Sequence, residues 1–412
     1  MDLRSADRLN LNRIMPAQGV PILRSHEAAS FDVAVIGAGV IGLSVAWRAA
    51  QRGLRVTVLD RGPIGSGTSR VAAGMIAPIS EARATEQRLL ALSLASARAY
   101  PGFVAELRDA SSEDPGYLAC GTLAAARDDD EALALDRELE LRHGLGLPVT
   151  RLRPSEARRL EPALAPALRL ALEVPDDHAI DPRKLTAALA RAATEAGAVV
   201  QGGVDVAGVS IASGRIDGLC LAAGERVAAA RVVVAAGPWS GALEGIPDGA
   251  RVPVRPVKGQ IFRLHDPAGP GLLSRALRMH GSGYLVPRGD GRYVLGATVE
   301  ERGFDTTVTA GPLFELLRDA IELLPGLSEL VIDELSAGMR PGTPDNMLAL
   351  GAGAIPGLHW ATGHYRHGVL LAPITAEIVV GALLDEQPDE LASAFSPARF
   401  ASAAADAAAV RG

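Results

Sequence analysis

Residues 31–62 read FDVAVIGAGVIGLSVAWRAAQRGLRVTVLDRG, and this stretch restricts the fold more than any other in the chain. Val33, Val35 and Ile36 make a short β-branched strand that runs directly into Gly37-Ala38-Gly39-Val40-Ile41-Gly42. A strand entering a glycine turn that opens a helix is the setting in which this motif binds a dinucleotide. Gly37 permits the tight turn, Gly39 lets the backbone approach a pyrophosphate, and Gly42 lets the helix lie close on the sheet. The helix dipole and its free N–H groups then face the phosphates. The helix is expected over Val40 to Arg52, with Gly53 as a left-handed cap. A second strand, Arg55 to Leu59, ends in Asp60, 18 residues beyond Gly42. A carboxylate there binds ribose hydroxyls and repels a 2′-phosphate. In a chain with 45 glycines a bare Gly-x-Gly-x-x-Gly is a common accident. The flanking strands, the helix and the terminal Asp60 are what lift this one above accident.

Such an opening occupies a fraction of 412 residues, and at about 150 residues per domain the chain has room for two or three domains. Its 48 acidic and 41 basic side chains give a net charge of −7, which argues against a dedicated nucleic-acid binder. Two cysteines, Cys120 and Cys220, make neither a disulfide framework nor the common four-ligand zinc site. No metal centre is expected, and a reducing, cytoplasmic compartment is. Residues 1–30 lack the apolar segment of a secretory signal and read as a flexible extension, or as an over-long start with Met15 the true beginning. No membrane span is expected: Val33 to Trp47 is broken by three glycines, and Val369 to Leu384 contains Pro373 and Glu377.

Nicotinamide and flavin dinucleotides share this entry, and three later segments favour FAD. Gly65 to Met75 is a small-residue stretch suited to close backbone approach to a planar ring. Arg231 to Gly237 is a buried strand ending in small residues. Trp360 to Gly368 repeats the logic of strand, glycine loop and helix. The remainder has a different character. Val252 to Leu264 reads as an extended strand punctuated by Pro253 and Pro256. Gly283 to Pro287 and Tyr293 to Thr298 flank Arg288-Gly289-Asp290-Gly291-Arg292, a hairpin signal. A helix with Leu313, Leu316, Leu317, Ile321 and Leu324 on one stripe follows, and a strand from Leu330 to Leu335 returns toward Arg340. Asp128 to Glu140 reads as a solvated helix, Pro182 to Ala196 as another, and the alanine-rich tail after Phe400 as a frayed one.

The fold class is therefore α/β: a Rossmann-like FAD-binding domain, interleaved with a mixed or antiparallel β-sheet substrate domain of α+β type. The binding domain is expected at 31–110, 173–250 and 336–412, and the substrate domain at 111–172 and 251–335.

Four further segments carry a resemblance: Gly338-Met339-Arg340-Pro341-Gly342-Thr343-Pro344-Asp345, Ala361 to Pro373, Pro256-Val257-Lys258-Gly259-Gln260 and Tyr284-Leu285-Val286-Pro287-Arg288. In this order, and with the glycine turn, they make the chain resemble the D-amino-acid-oxidase-like flavoenzymes over about residues 31–400, and within them the glycine oxidases of thiamine (thiazole) biosynthesis. The resemblance implies that Arg340 pairs with the substrate carboxylate, a task that suits a guanidinium fork. It implies that the Tyr284 hydroxyl reaches the same carboxylate, that Met75 lies beside the flavin, and that Arg366 faces the substrate. It places non-covalent FAD against Gly37, Gly39, Val40, Ile41, Gly42, Asp60, Arg61, Thr68, Ser69, Ala73, Gly74 and Met75. Val206 is implied at the adenine, and Gly363, His364, Tyr365, Arg366, His367, Gly368, Val369 and Leu370 along the isoalloxazine and pyrophosphate. Asp60 stands where glutamate is more usual, Tyr365 where phenylalanine is common, and His367 where asparagine is frequent. A histidine at that place is expected to alter the pH dependence.

The reaction implied is oxidation of glycine, and of small relatives such as sarcosine or D-alanine, by hydride transfer to flavin N5. Dioxygen is then reduced to hydrogen peroxide, and the imine either hydrolyses to glyoxylate and ammonia or is handed to thiazole synthase. A homo-oligomer, often a tetramer, is implied. Two other readings keep the fold, a D-amino-acid dehydrogenase and a sarcosine or secondary-amine oxidase. One of another class, a flavoprotein module acting on tRNA or serving as a structural subunit, is disfavoured by the acidic charge and the absence of a fused second catalytic domain.

Overall fold

The structure, a computed structural model, describes residues 30–400. The expectations for the N-terminal extension and the alanine-rich tail fall outside them. Strand Phe31–Ile36 sits at the centre of an eight-stranded sheet, with Arg226–Val234 parallel on one side and Val56–Asp60 parallel on the other. Val199–Gly202 continues the sheet beyond Val56–Asp60. Both faces of Phe31–Ile36 are covered, which is why the segment is a near-continuous apolar run instead of an alternating one. Val33 and Val35 pack under helices Val40–Gln51, Gln87–Ser111, Pro182–Glu195 and Ala372–Leu383. Ala34 and Ile36 pack on the opposite face with Val209, Leu219 and Val227. On its other edge strand Arg226–Val234 serves two more partners: residues 226–228 pair antiparallel with Arg215–Leu221, and residues 232–234 pair parallel with Leu358–Thr362. The C-terminal part of the chain thereby returns to the sheet in which the glycine turn lies.

A second eight-stranded sheet runs in the order Val331–Gly342, Arg255–His265, Arg292–Gly296, Gly283–Pro287, Ala276–Met279, Thr122–Ala126, Leu170–Val174, Thr150–Leu152. It is antiparallel except where Ala276–Met279 meets Thr122–Ala126. Helix Ala310–Leu323 covers one face through Leu313, Leu316, Ala320 and Leu323, while the expected stripe members Leu317 and Ile321 are only partly buried. The hairpin forms as expected, with Pro287 opposite Tyr293. A three-stranded sheet of Met75–Ile76, His178–Ile180 and Tyr117–Leu118 is hydrogen-bonded to neither and packs on the second through Met75 and Ala179.

Two expected boundaries need correction. The strand expected at Leu330 to Leu335 continues through Gly342, paired with Arg255–His265 along its whole length. A division at 336 therefore cuts a strand of the second sheet, and Arg340 belongs to that sheet. Likewise Leu170–Val174 pairs with Thr122–Ala126, so a division at 173 falls inside a strand. In both cases the apolar and small-residue pattern marks a strand without saying which sheet its hydrogen bonds join. Helix Asp129–Gly144 forms on the acidic stretch. It is capped by the Asp128 side chain, which accepts from Glu131 N, and it leaves Leu133 exposed while burying Leu135.

Candidate active site

A cavity of about 490 Å³ is lined by residues of both large sheets. At one end the glycine turn is compressed against its surroundings. Gly37 has φ +104°, its N–H donates to Leu59 O at 2.8 Å, and a Cβ there would meet Ala235 O at 2.5 Å. A Cβ on Gly42 would lie 1.9 Å from Gly37 O. Only glycine lets strand, turn and helix pack this closely. Asp60 closes the same turn: Oδ2 accepts from Ala38 N and Oδ1 from Gly62 N, each at 2.8 Å. The helix Val40–Gln51 starts at Gly39, which offers no capping side chain, and Ser69 supplies the oxygen from 29 residues away by accepting from Val40 N at 2.9 Å. Of the first-turn N–H groups expected to face phosphate, that of Val40 is thus already engaged. Thr68 Oγ1 donates to Met339 O at 2.6 Å, tying the small-residue loop to the strand that carries Arg340. Val206 lies at this end with Asp205. The Arg61 guanidinium stacks 4.0 Å over Trp239, which in turn stacks on Phe304.

The wall formed by residues 363–371 is irregular. Gly363 has φ +78° and Tyr365 φ +49°, and Tyr365 N donates to Pro341 O at 3.0 Å. Outer partners fasten the wall, with Tyr100 Oη donating to Val369 O at 2.9 Å and Ser96 Oγ to Leu370 O at 2.7 Å. The helix expected near Gly368 begins at Ala372. Pro373 explains the delay: proline is tolerated in a first turn, whereas in a helix already running from Gly368 its ring would meet the carbonyl of Val369. His364 is buried against Thr375 Oγ1 at 3.0 Å, and burial pushes its pKa down to about 3, so it is neutral. Burial also lowers that of His367.

Arg340 and Tyr284 come from the second sheet. Arg340 Nη1 donates to Thr298 O at 3.0 Å and to Lys258 O at 3.3 Å. The guanidinium lies flat on Gly259, where a Cβ would meet Nη1 at 2.6 Å and Nη2 at 2.7 Å. Tyr284 is opposite Gly296, and burial raises its hydroxyl pKa while the Arg340 charge opposes the shift. Arg366 also lines the cavity, and its Nε is buried with no acceptor among the described residues. Met75 pairs with Ala179 and packs in a cluster with Val71, Tyr284 and Ala297. Ala73, Gly74, Ile41, Gly368, Val369 and Leu370 line the cavity too, whereas Gly42 does not, and Gly363 belongs to the wall without facing the cavity.

Sequence reasoning passed over Glu81, Trp239, Asp205 and Gly259, all of which line the cavity. Gly259 stands in a quoted segment, and its service to Arg340 depends on strand register. Glu81, six residues after Met75, belongs to no spacing pattern.

The family model described as FAD dependent oxidoreductase (DAO) matches residues 32–382. A glycine oxidase of Geobacillus kaustophilus is 35% identical over 373 residues, covering 90% of this chain and 96% of that protein. The crystal structure of glycine oxidase from Geobacillus kaustophilus superimposes with a TM-score of 0.82, covering 90% and 98% of the two chains. The bifunctional protein ThiO/ThiG of Synechocystis sp. is 37% identical over 375 residues. The match takes in 90% of this chain and 54% of that protein, so the chain spans about half the length of this relative. FAD is the cofactor, and the cavity fits it. Asp60 and the start of helix Val40–Gln51 stand at one end for ribose and pyrophosphate, and the irregular wall 363–371 runs along the other. Arg366 Nε there is a buried donor awaiting an acceptor.

Proposed function

We propose that this chain, which belongs to the FAD dependent oxidoreductase (DAO) family, oxidises glycine and other small amino acids such as sarcosine or D-alanine. The products are the imine or glyoxylate, ammonia and hydrogen peroxide. The observation that carries the reading is the meeting of Arg340 and Tyr284 in one cavity with the FAD-binding turn. Arg340 presents a guanidinium fork to a planar carboxylate, and the Tyr284 hydroxyl donates to the same group. In this reading Arg366, whose Nε has no acceptor among the described residues, adds a third donor. Held this way, the substrate has its α-carbon fixed, and orientation of this kind removes much of the barrier to a two-partner reaction. Bound FAD supplies the two-electron acceptor for the α-hydride, with dioxygen as the final oxidant. Met75, Ile261 and Ala297 complete an apolar surround that strengthens the charge pairing. Supply of the imine to thiamine thiazole synthesis, with transient hand-over to a thiazole synthase, belongs to the same reading. The similarity to the glycine oxidase and to the bifunctional ThiO/ThiG relative supports it.

The test is peroxide production in air from glycine, sarcosine, D-alanine and D-proline. Glycine is expected to react. Glycine inert beside an active larger substrate would sink the substrate assignment, and reaction only with an artificial dye would sink the oxidase.

A further inference from the structure

The carboxylate half of an amino acid is met by Arg340, Tyr284 and Arg366, but a free amino acid at neutral pH also brings an ammonium group. Hydride can leave the α-carbon only when the nitrogen lone pair is available to form the imine. Among the cavity-lining residues three are acidic: Asp60, Asp205 and Glu81. Asp60 is engaged by its own turn, and Asp205 lies beside Val206 at the far end. Glu81 stands near the carboxylate clamp, close enough for its charge to act on the Tyr284 hydroxyl. Its Oε2 is 3.6 Å from Nδ1 of His367, which is nearly buried.

The turn that carries Glu81 is held from behind. The fully buried Asp177 accepts from Ile79 N at 3.0 Å and from Ser80 N at 2.6 Å. Arg142, also buried, donates through Nε to Ile79 O at 2.9 Å and through Nη2 to Ser80 O at 2.6 Å. The backbone of both residues before Glu81 is thus gripped by two opposite buried charges, a costly arrangement to maintain for a turn that had nothing to position.

We propose that Glu81 and His367 act together as the acceptor of the substrate's ammonium proton, a role that rests on the amino-acid reading above. The nitrogen–hydrogen bond breaks, its electron pair stays on nitrogen, and the proton bonds to the Glu81 carboxylate. It is shared with His367 Nδ1, so the pair passes from one negative charge to none. The proton returns to solvent when product leaves. Other charged and titratable groups face this pair: Arg83 and Glu86 from the segment after the turn, His364 and Arg366 from the wall, Tyr284 and Arg340 from the second sheet, Asp177 and Arg278 from behind. Asparagine in place of His367 has no proton-accepting nitrogen and would leave the task to the carboxylate alone.

The experiment uses the holoenzyme and its Glu81→Gln, Glu81→Asp and His367→Asn variants, each checked for full flavin content. The anaerobic rate of flavin bleaching by glycine is followed from about pH 7 to about pH 9.5. The wild type is expected to change little with pH. Glu81→Gln should be slower by about tenfold or more at pH 7 and gain about tenfold per pH unit, with His367→Asn intermediate and Glu81→Asp close to wild type. A second readout needs no turnover: binding of 2-aminoisobutyrate, which has no α-hydrogen, against isobutyrate, followed by the flavin spectrum. Glu81→Gln should weaken the amino ligand about tenfold and leave isobutyrate unchanged or tighter. Superimposable pH profiles, or equal losses for both ligands, would overturn the proposal while leaving the amino-acid reading intact. Failure of every amino acid to bleach the wild type would overturn both.

Discussion

The two large sheets solve different problems by different means. In the sheet around Phe31–Ile36 the decisive contacts are made by backbone, and the side chains that matter there matter by being absent. Gly37 and Gly42 let carbonyls, amides and a helix end come together, and Asp60 and Ser69 serve first to tie the turn. In the sheet that pairs Arg255–His265 with Val331–Gly342 the strands hold one register from Arg255 to Arg263, and the side chains carry the chemistry, aimed by that register. Conformation limits the first region and reach limits the second. A substitution in the first is therefore expected to cost the cofactor, and one in the second to cost the substrate.

The sharpest way to break that distinction is Gly42→Val. With Gly37 O only 1.9 Å from a Cβ, strand and helix must separate, and the purified protein should hold almost no flavin. Yellow protein with one flavin per chain would show that the turn has slack. Next in size is Arg340→Ala. Removing one partner of a buried hydrogen-bonded charge pair costs about 2–5 kcal/mol, so the apparent KM for glycine should rise at least about thirtyfold with flavin content unchanged. Concomitant loss of flavin would mean that Arg340 also serves the cofactor half. Gly259→Ala tests the same sheet more gently: its methyl group would displace the guanidinium, and about a tenfold loss of kcat/KM is expected, since small misplacements of a positioning group carry large penalties. An unaltered value would show that the fork does not need that floor. The smallest effect belongs to Trp239→Ala. Losing the stack under Arg61 removes about 0.5–1 kcal/mol, so FAD should dissociate a few-fold more readily with no change in KM. A change in KM without one in FAD affinity would place Trp239 on the wrong side of the comparison.

The same contrast governs what could be read in advance. The first sheet announces itself because Gly37, Gly39 and Gly42 are residue types forced at fixed spacing, and because Asp60 must end the next strand. The second sheet declares its strands and its hairpin at Gly283 to Tyr293, but the order of strands is set by hydrogen bonds between segments far apart. For that reason a boundary at 336 was plausible from composition and yet divides the strand bearing Arg340. Resemblance marks Arg340 and Tyr284 out, whereas the platform under Arg340 follows from Val257 standing opposite it, a matter of register alone. Glu81 escapes because the groups that fix it, Asp177 and Arg142, come from 96 residues later and 61 residues later in the chain.

The placement of Leu358–Thr362 beside Arg226–Val234 has a consequence in time. On a ribosome the glycine turn emerges long before the wall at residues 363–371. Until then the early strand lacks its neighbour's far partner, and the cavity lacks the wall that runs along the end away from the glycine turn. Capture of FAD therefore waits until residues 358–371 have emerged, and shorter nascent chains must rely on apolar packing alone to keep both halves from aggregating.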